Sequence, residues 1–257
     1  MSDIVGVVGA GRMGLPIIGH LVRAGFRTLA SDIDPKKRKP VEKRGAAWQA
    51  DLAGKCDVIL VCVGFDHEVQ RAARARPQAA SGRVVAILST VYPKTVQELA
   101  RKASGMHVID STVCRGGEAA DKGTLLSFVG GPAEVVARVT PVLRAYSADV
   151  VHTGEVGSAQ VAKAVNNLIL WACLVADHEG LALAQRFGLD VEKLRQALLM
   201  SSATNDALEK WGRQTMAWAE DDMAIVAAMA AERGIALPQA DVTREICRAP
   251  QAAPLQA

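Results

Sequence analysis

The sequence predicts an α/β domain followed by an all-α domain, the two joined through a long central helix. Three observations carry that prediction. The apolar run Ile4–Val8 leads at once into Gly9-Ala-Gly-Arg-Met-Gly14 and then a helical pattern, which reads as strand, tight turn and helix. Strand and helix patterns alternate as far as Thr153, as in a sheet with crossover helices. Beyond residue 157 strand patterns stop and only helical periodicity remains.

Each element has its own warrant. Ile4–Val8 is short and apolar throughout, as a parallel strand buried on both faces must be. The glycines after it permit a tight turn and let main chain approach a pyrophosphate, whose charge the next helix N-terminus favours. That helix reads from Leu15 to Ala24 and stops at Gly25; Thr28–Ser31 is the second strand, ending at Asp32. Asp32 lies 18 residues past Gly14, close to where a carboxylate takes adenosine ribose hydroxyls. A glycine turn that merely packs helix on strand is the plainer alternative, and the flanking strand and helix count against it. The expectation is a Rossmann-type dinucleotide-binding domain with Gly9, Gly11, Arg12, Met13, Gly14 and Asp32 at the cofactor. Asp32 favours NAD over NADP, while Lys36 and Arg38 nearby leave NADP possible.

Asp57–Val63 and Arg83–Leu88 are further buried strands. Ligands of such sheets lie outside the strand C-termini, so Val63 and Thr90 are expected at the cofactor and Ser89 at the substrate. The alternative for the two hydroxyls is a turn or cap that closes the strand. His107–Asp110 is a short strand leading into Ser111-Thr-Val-Cys-Arg-Gly-Gly117, and Asp149–Thr153 looks like the last strand. The paired glycines leave main-chain N–H groups accessible to an anion. Arg115 adds a planar fork that matches carboxylate, phosphate or sulfonate; an ordinary surface arginine is the alternative.

The central helix begins with Ser158 as a fair N-cap and runs to about Arg186, closed by Gly188. Leu168–Ala176 is apolar on nearly every side, so this helix is expected inside the protein. Yet Gln160, Lys163 and Asn167 share one stripe, with Asn166 at its edge. Lysine is rarely buried without a task, because desolvating its ammonium is costly. The sharp reading of Lys163 is a proton donor and acceptor held beside amides that orient a substrate; the bland one is a surface lysine near a helix end. As a base, Lys163 would need its proton affinity lowered from the usual pKa of roughly 10.4 by burial or a nearby cation. Further helices are expected from Asp190 to Met200, Asn205 to about Ala219, Asp222 to Arg233 and Pro238 to Cys247, with a disordered tail from Ala249.

Composition narrows the class. The chain has 257 residues, half of them apolar, and a net charge of +3, which fits a soluble protein of one large or two modest domains. The basic run Lys36–Lys39 is too short and isolated to argue for nucleic acid. No uninterrupted apolar run approaches the roughly 20 residues needed to cross a bilayer, and the N-terminus is no signal peptide. Five cysteines (56, 62, 114, 173 and 247) form no C-x-x-C pair; they suit a reducing cytoplasm without a metal site or disulfide framework.

Three stretches together resemble the β-hydroxyacid dehydrogenase family, which includes 3-hydroxyisobutyrate dehydrogenase and is related to 6-phosphogluconate dehydrogenase. They are Gly9–Gly14, Asp110–Gly131 and Gly157–Asn167, with Ser89-Thr90 and Pro93 fitting a fourth, looser motif. The resemblance implies NAD(P)-dependent interconversion of a small 3-hydroxy acid and its semialdehyde or keto acid. It implies that Lys163 is the catalytic lysine and Asn167 its substrate-orienting partner. It makes the loop after Asp110, with Val113, Cys114, Arg115 and Gly116, the substrate-anchoring loop. Residues 1–156 would be the dinucleotide-binding domain, 157–248 a helical substrate and dimerisation domain, and 249–257 the tail. The protein would be a homodimer or homotetramer binding a small anionic hydroxy acid, with no metal, nucleic acid or membrane.

Three departures from the family pattern stand out. Thr112, Cys114 and Arg115 replace a Pro, a Ser and the first Gly of Asp-x-Pro-Val-Ser-Gly-Gly, so the usual anchoring hydroxyl is missing and a cation is present. The helical domain is shortened between Ser202 and Asp222. A Lys-Asp pair common near its end reads Asp221-Asp222, so the role of that lysine either moves to Arg115 or is lost. Two rival readings keep the fold and change the function: an imine reductase, which generally lacks a lysine at position 163, and a non-catalytic dinucleotide sensor, which would not be expected to retain the Lys163–Asn167 stripe.

Overall fold

The computed structural model describes residues 3–52, 54–74, 82–213 and 216–248. Two units divide the chain, residues 1–163 and 164–257.

The first unit is built on an eight-stranded sheet ordered β3-β2-β1-β4-β5-β6-β7-β8. The strands are β1 (Ile4–Val8), β2 (Arg27–Ser31), β3 (Ala47–Trp48), β4 (Val58–Val61), β5 (Arg83–Ile87), β6 (Met106–Cys114), β7 (Leu125–Gly130) and β8 (Ser147–Gly154). Every neighbouring pair is parallel except β6 with β7. Successive residues of a strand enter different cores: Val58, Leu60, Val84 and Ala86 join one cluster, and Ile59, Val61, Val85 and Ile87 the other. A sheet covered on both faces needs apolar side chains on both, and that is why these strands read as unbroken apolar runs. Helices α1 (Gly14–Arg23), α2 (Arg38–Lys43), α3 (Asp66–Arg74), α4 (Pro93–Lys102), α5 (Gly116–Lys122) and α6 (Ala133–Leu143) complete the unit. Strand order reverses at β1, which lies between β2 and β4; the crevice at the C-termini of β1 and β4 is therefore where a ligand belongs.

Two features depart from the sequence reading here. The strand expected to end at Asp110 continues to Cys114, because β7 pairs with it antiparallel from Asp110↔Gly130 to Cys114↔Leu126. Residues 111–114 are thus ladder, and the loop is confined to the turn that opens α5. β3 is only two residues long, too short to print a periodicity.

The long helix α7 (Ser158–Arg186) starts in the first unit and continues into the second. By length and composition it contains a window apolar enough to cross a membrane, of which 39% is buried. The second unit adds α8 (Val191–Leu199), α9 (Asp206–Glu209), α10 (Ala219–Arg233) and α11 (Pro238–Arg248). Ala164, Trp171, Leu174, Met223, Val226 and Ala240 belong to its core. Asp190 caps α8 as expected, accepting from Lys193 N at 2.9 Å. The helix expected from Asn205 to Ala219 is instead the one-turn α9, capped by Asn205 and followed by turns through Gly212. α10 starts at Ala219, so Glu220, Asp221 and Asp222 fall in its first turn, where carboxylates suit the helix dipole. The tail expected to be disordered lies outside the described residues.

Candidate active site

The glycine-rich turn is dictated by packing at two positions and left open at a third. A Cβ at Gly9 would stand 2.0 Å from the Cys62 carbonyl oxygen, and one at Gly14 2.0 Å from the Gly9 carbonyl oxygen. At Gly11 a Cβ would meet nothing within 4 Å. The outer glycines therefore let the turn close on β4 and α1, while the middle one faces space in which an anion can approach main chain. The first turn of α1 carries no acidic residue, so nothing there opposes the charge of a phosphate at the positive end of the helix dipole. The residues present fit a dinucleotide. Asp32 accepts from Ala10 N at 2.7 Å and Asp34 N at 2.9 Å, tying the end of β2 to the same turn. Beneath it, burial pushes the Cys62 thiol up to about 12, which keeps it an inert packing group.

The strand ends next to the turn are stitched by Ser89. Its buried hydroxyl accepts from Val63 N at 2.9 Å, joining the ends of β4 and β5. Thr90, half-buried, follows it.

The N-terminus of α7 is fastened to this sheet by a buried polar network. Asp110, fully buried on β6, accepts from Gly157 N at 2.8 Å and Gln160 N at 2.9 Å. Burial pushes its carboxyl above the ordinary range, and the N–H groups it accepts from pull the other way. Thr112 donates its hydroxyl to the Ala159 carbonyl at 2.9 Å, a bond the family's proline has no donor to make. The buried Gln160 amide accepts from Val91 N and donates to the Ser89 carbonyl, both at 2.9 Å. One turn along the helix, the half-buried Lys163 places Nζ 3.9 Å from the Cys114 thiol at the end of β6. Residues 49 apart in sequence are thus brought together at the strand C-termini. Asn167 lies on the next turn of α7, buried, with its amide oxygen accepting from Asn166 Nδ2 at 3.1 Å.

Arg115 lies exposed at the start of α5. Among the described residues it is the one non-glycine with positive φ, at 83°. Its guanidinium pairs with Asp149 at 2.7 Å and donates to the Thr124 carbonyl at 3.1 Å, toward β7 and β8. Val113 and Cys114 are buried and Gly116 is exposed. In the second unit, Asp221 is exposed, while Asp222 accepts from the Trp171 indole N–H at 3.0 Å. Among the described residues, no group of three or more His, Cys, Asp or Glu could hold a metal ion.

Asp110 is not among the expected site residues, and Gln160 is expected as an amide beside Lys163 that orients a substrate, whereas its side chain is taken up by Val91 N and the Ser89 carbonyl. Their signal in the sequence is an acid closing an apolar strand and an amide in an apolar helix, and neither names its partner.

Comparison with known proteins follows the same division. Residues 4–154 match the NAD binding domain of 6-phosphogluconate dehydrogenase, and residues 157–256 the NAD-binding domain of NADP-dependent 3-hydroxyisobutyrate dehydrogenase. The chain is 33% identical over 218 residues to 3-hydroxyisobutyrate dehydrogenase of Pseudomonas aeruginosa, covering 81% of this chain and 72% of that protein. It is 29% identical over 215 residues to L-threonate dehydrogenase of Cupriavidus necator, covering 80% and 72%. In structure it resembles 3-hydroxyisobutyrate dehydrogenase of Mycobacterium tuberculosis, solved with L-serine, with a TM-score of 0.88 over 96% of this chain and 93% of that one, at 22% identity.

Proposed function

The chain belongs to the β-hydroxyacid dehydrogenase family of NAD(P)-dependent oxidoreductases, and we propose that it oxidises a small 3-hydroxy acid with Lys163 as the proton acceptor. The observation that carries this reading is the placement of Lys163 Nζ 3.9 Å from Cys114, on a helix start locked to the sheet by Asp110, Thr112 and Gln160. Oxidation of an alcohol carbon releases a hydride and a proton. A bound nicotinamide supplies the hydride acceptor. Lys163 takes the hydroxyl proton at Nζ and returns one in the reverse direction, and Asn167 orients the hydroxyl.

Gly9, Gly11, Arg12, Met13 and Gly14 are proposed to hold the pyrophosphate through main chain, with Asp32 at the adenosine ribose and Val63 and Thr90 along the crevice. A carboxylate at position 32 repels a 2′-phosphate, so the preferred cofactor is NAD. Ser89, the end of β6 at Val113 and Cys114, and the turn Arg115-Gly116 line the substrate; a thiol at 114, in place of a hydroxyl, gives that wall less hydrogen-bonding power. We assign the protein to the cytoplasm, given five cysteines with no C-x-x-C pair, which suit a reducing compartment, and to a homodimer or homotetramer. Val165 and Ile169 lie on one exposed stripe of α7. Beside them is a groove of about 390 Å³ lined by Leu168, Ile169, Ala172 and Leu237, an apolar surface of the sort oligomers cover.

The test is Lys163→Met, which keeps most of the volume and the helix propensity. Steady-state kcat should fall by about 10²–10⁴-fold with NAD binding retained. Lys163→Arg should not rescue, because a guanidinium stays protonated, and Asn167→Ala should be damaging but milder. A Lys163→Met protein within a few-fold of wild type would mean the proton moves elsewhere.

A further inference from the structure

The acid group of a hydroxy acid calls for a cation at the anchoring loop, and the Arg115 guanidinium is turned toward β8 and the start of β7 by Asp149 and the Thr124 carbonyl. A second guanidinium reaches the first turn of α5, the helix that follows that loop, from the glycine-rich turn. Arg12 leaves the turn between Gly11 and Gly14 and donates Nη1 to Asp121 Oδ1 at 3.0 Å and Nη2 to Oδ2 at 2.8 Å. On its way it lies against the main chain of Gly117. A Cβ there would stand 2.5 Å from Arg12 Nη2 and 2.6 Å from Cζ, so residue 117 must lack a side chain for Arg12 to occupy this place.

Gly117 is three residues from Cys114, the group that faces Lys163. Bidentate pairing with Asp121 uses two of the five guanidinium donors and leaves three, on a side chain that is still 61% exposed. The pairing also fixes the plane of the fork. His20 fastens α1 to the far end of α5: Nε2 lies 3.0 and 3.1 Å from the carbonyls of Ala120 and Asp121, and Nδ1 lies 2.7 Å from Arg23 Nη2. Those partners place the ring proton on Nε2. The glycine-rich turn and α5 are therefore tied together, with a cation that keeps three donors uncommitted to Asp121 where α5 leaves the anchoring loop.

We infer that Arg12 binds the acid group of the substrate, so that preference for acidic over neutral 3-hydroxy compounds resides in the dinucleotide turn itself. The inference rests on the hydroxyacid reading above. It is tested with Arg12→Gln and Arg115→Gly beside wild type. The measurements are kinetics on 3-hydroxyisobutyrate and its neutral methyl ester, NAD titration, and calorimetry of 3-hydroxyisobutyrate with the NADH complex. Loss of a charged hydrogen-bond pair should raise the KM for the acid about ten- to a hundredfold in Arg12→Gln. KM for the ester and Kd for NAD should stay within threefold, and the acid KM in Arg12→Gln should exceed that in Arg115→Gly about tenfold.

The assignment is overturned by an acid KM within threefold of wild type in Arg12→Gln, by Arg115→Gly having the larger effect, or by KM rising in step with NAD Kd, which would assign the side chain to the cofactor's pyrophosphate. Calorimetry keeps the two readings apart. Acid binding that Arg12→Gln abolishes, in a wild type with no turnover, supports Arg12 and removes the dehydrogenase reading. A wild-type NADH complex that does not bind the acid overturns the Arg12 assignment.

Discussion

Replacing Asp110 by asparagine tests whether a buried carboxylate positions the helix that carries Lys163. Asp110 is fully buried and accepts two main-chain N–H groups at the start of α7, at 2.8 and 2.9 Å. Asparagine turns one acceptor oxygen into an NH₂ that faces an N–H. One charge-assisted bond is lost and one buried donor is orphaned, which costs about 1.5–3 kcal/mol. Relief of a buried charge offsets part of that. For a chain of this length each kcal/mol moves Tm by about 2–4 °C, so calorimetry should show a fall of about 3–10 °C. A shift of α7 by a fraction of its diameter displaces Lys163, and misplacement by about 1 Å can cost about a hundredfold. We expect kcat to fall about ten- to a hundredfold with NAD Kd within threefold, since the glycine turn is braced by Asp32 and Cys62 instead. The pH dependence has a definite sign. Burial raises the native carboxyl above its unfolded value, so the stability its proton contributes is present in acid and lost as pH rises through the native pKa. The Asp110→Asn protein has no such slope, and the Tm gap should therefore be widest in acid and constant above that window. A variant with Tm within a degree of wild type and kcat within twofold would refute the reasoning.

Two further outcomes concern the cofactor and the assembly. Wild type should show a higher kcat/KM with NAD than with NADP, and Asp32→Ala should narrow the gap while weakening NAD, because Ala10 N and Asp34 N lose their acceptor; equal efficiency with both cofactors in wild type would sink the assignment. Ile169→Asp places a charge in the exposed apolar stripe of α7, and light scattering should show the oligomer shifting to monomer while helix content holds; an unchanged mass would move the interface elsewhere.

Much of the fold was legible because its signals are local. Apolar runs of strand length, a glycine turn between strand and helix, and a change from mixed to purely helical periodicity are all contained within a few consecutive residues. The shared face of Lys163 and Asn167 was legible for the same reason: helical spacing alone puts them on one stripe of α7. Three things are not written locally. β6 extends to Cys114 because β7 pairs with it antiparallel, and Asn205–Ala219 breaks after one turn although its local pattern reads as helix. The third is which charge goes where. Arg115 and Arg12 are each a cation beside glycines in the sequence, and nothing nearby distinguishes them. Only the fold brings Asp149 to one and Asp121 to the other, because an ion pair is a property of two positions that chain topology, not sequence spacing, makes adjacent. The same holds for Asp110. Its type and place in a strand are sequence facts; its function as the anchor of α7 exists only where β6 passes the start of that helix.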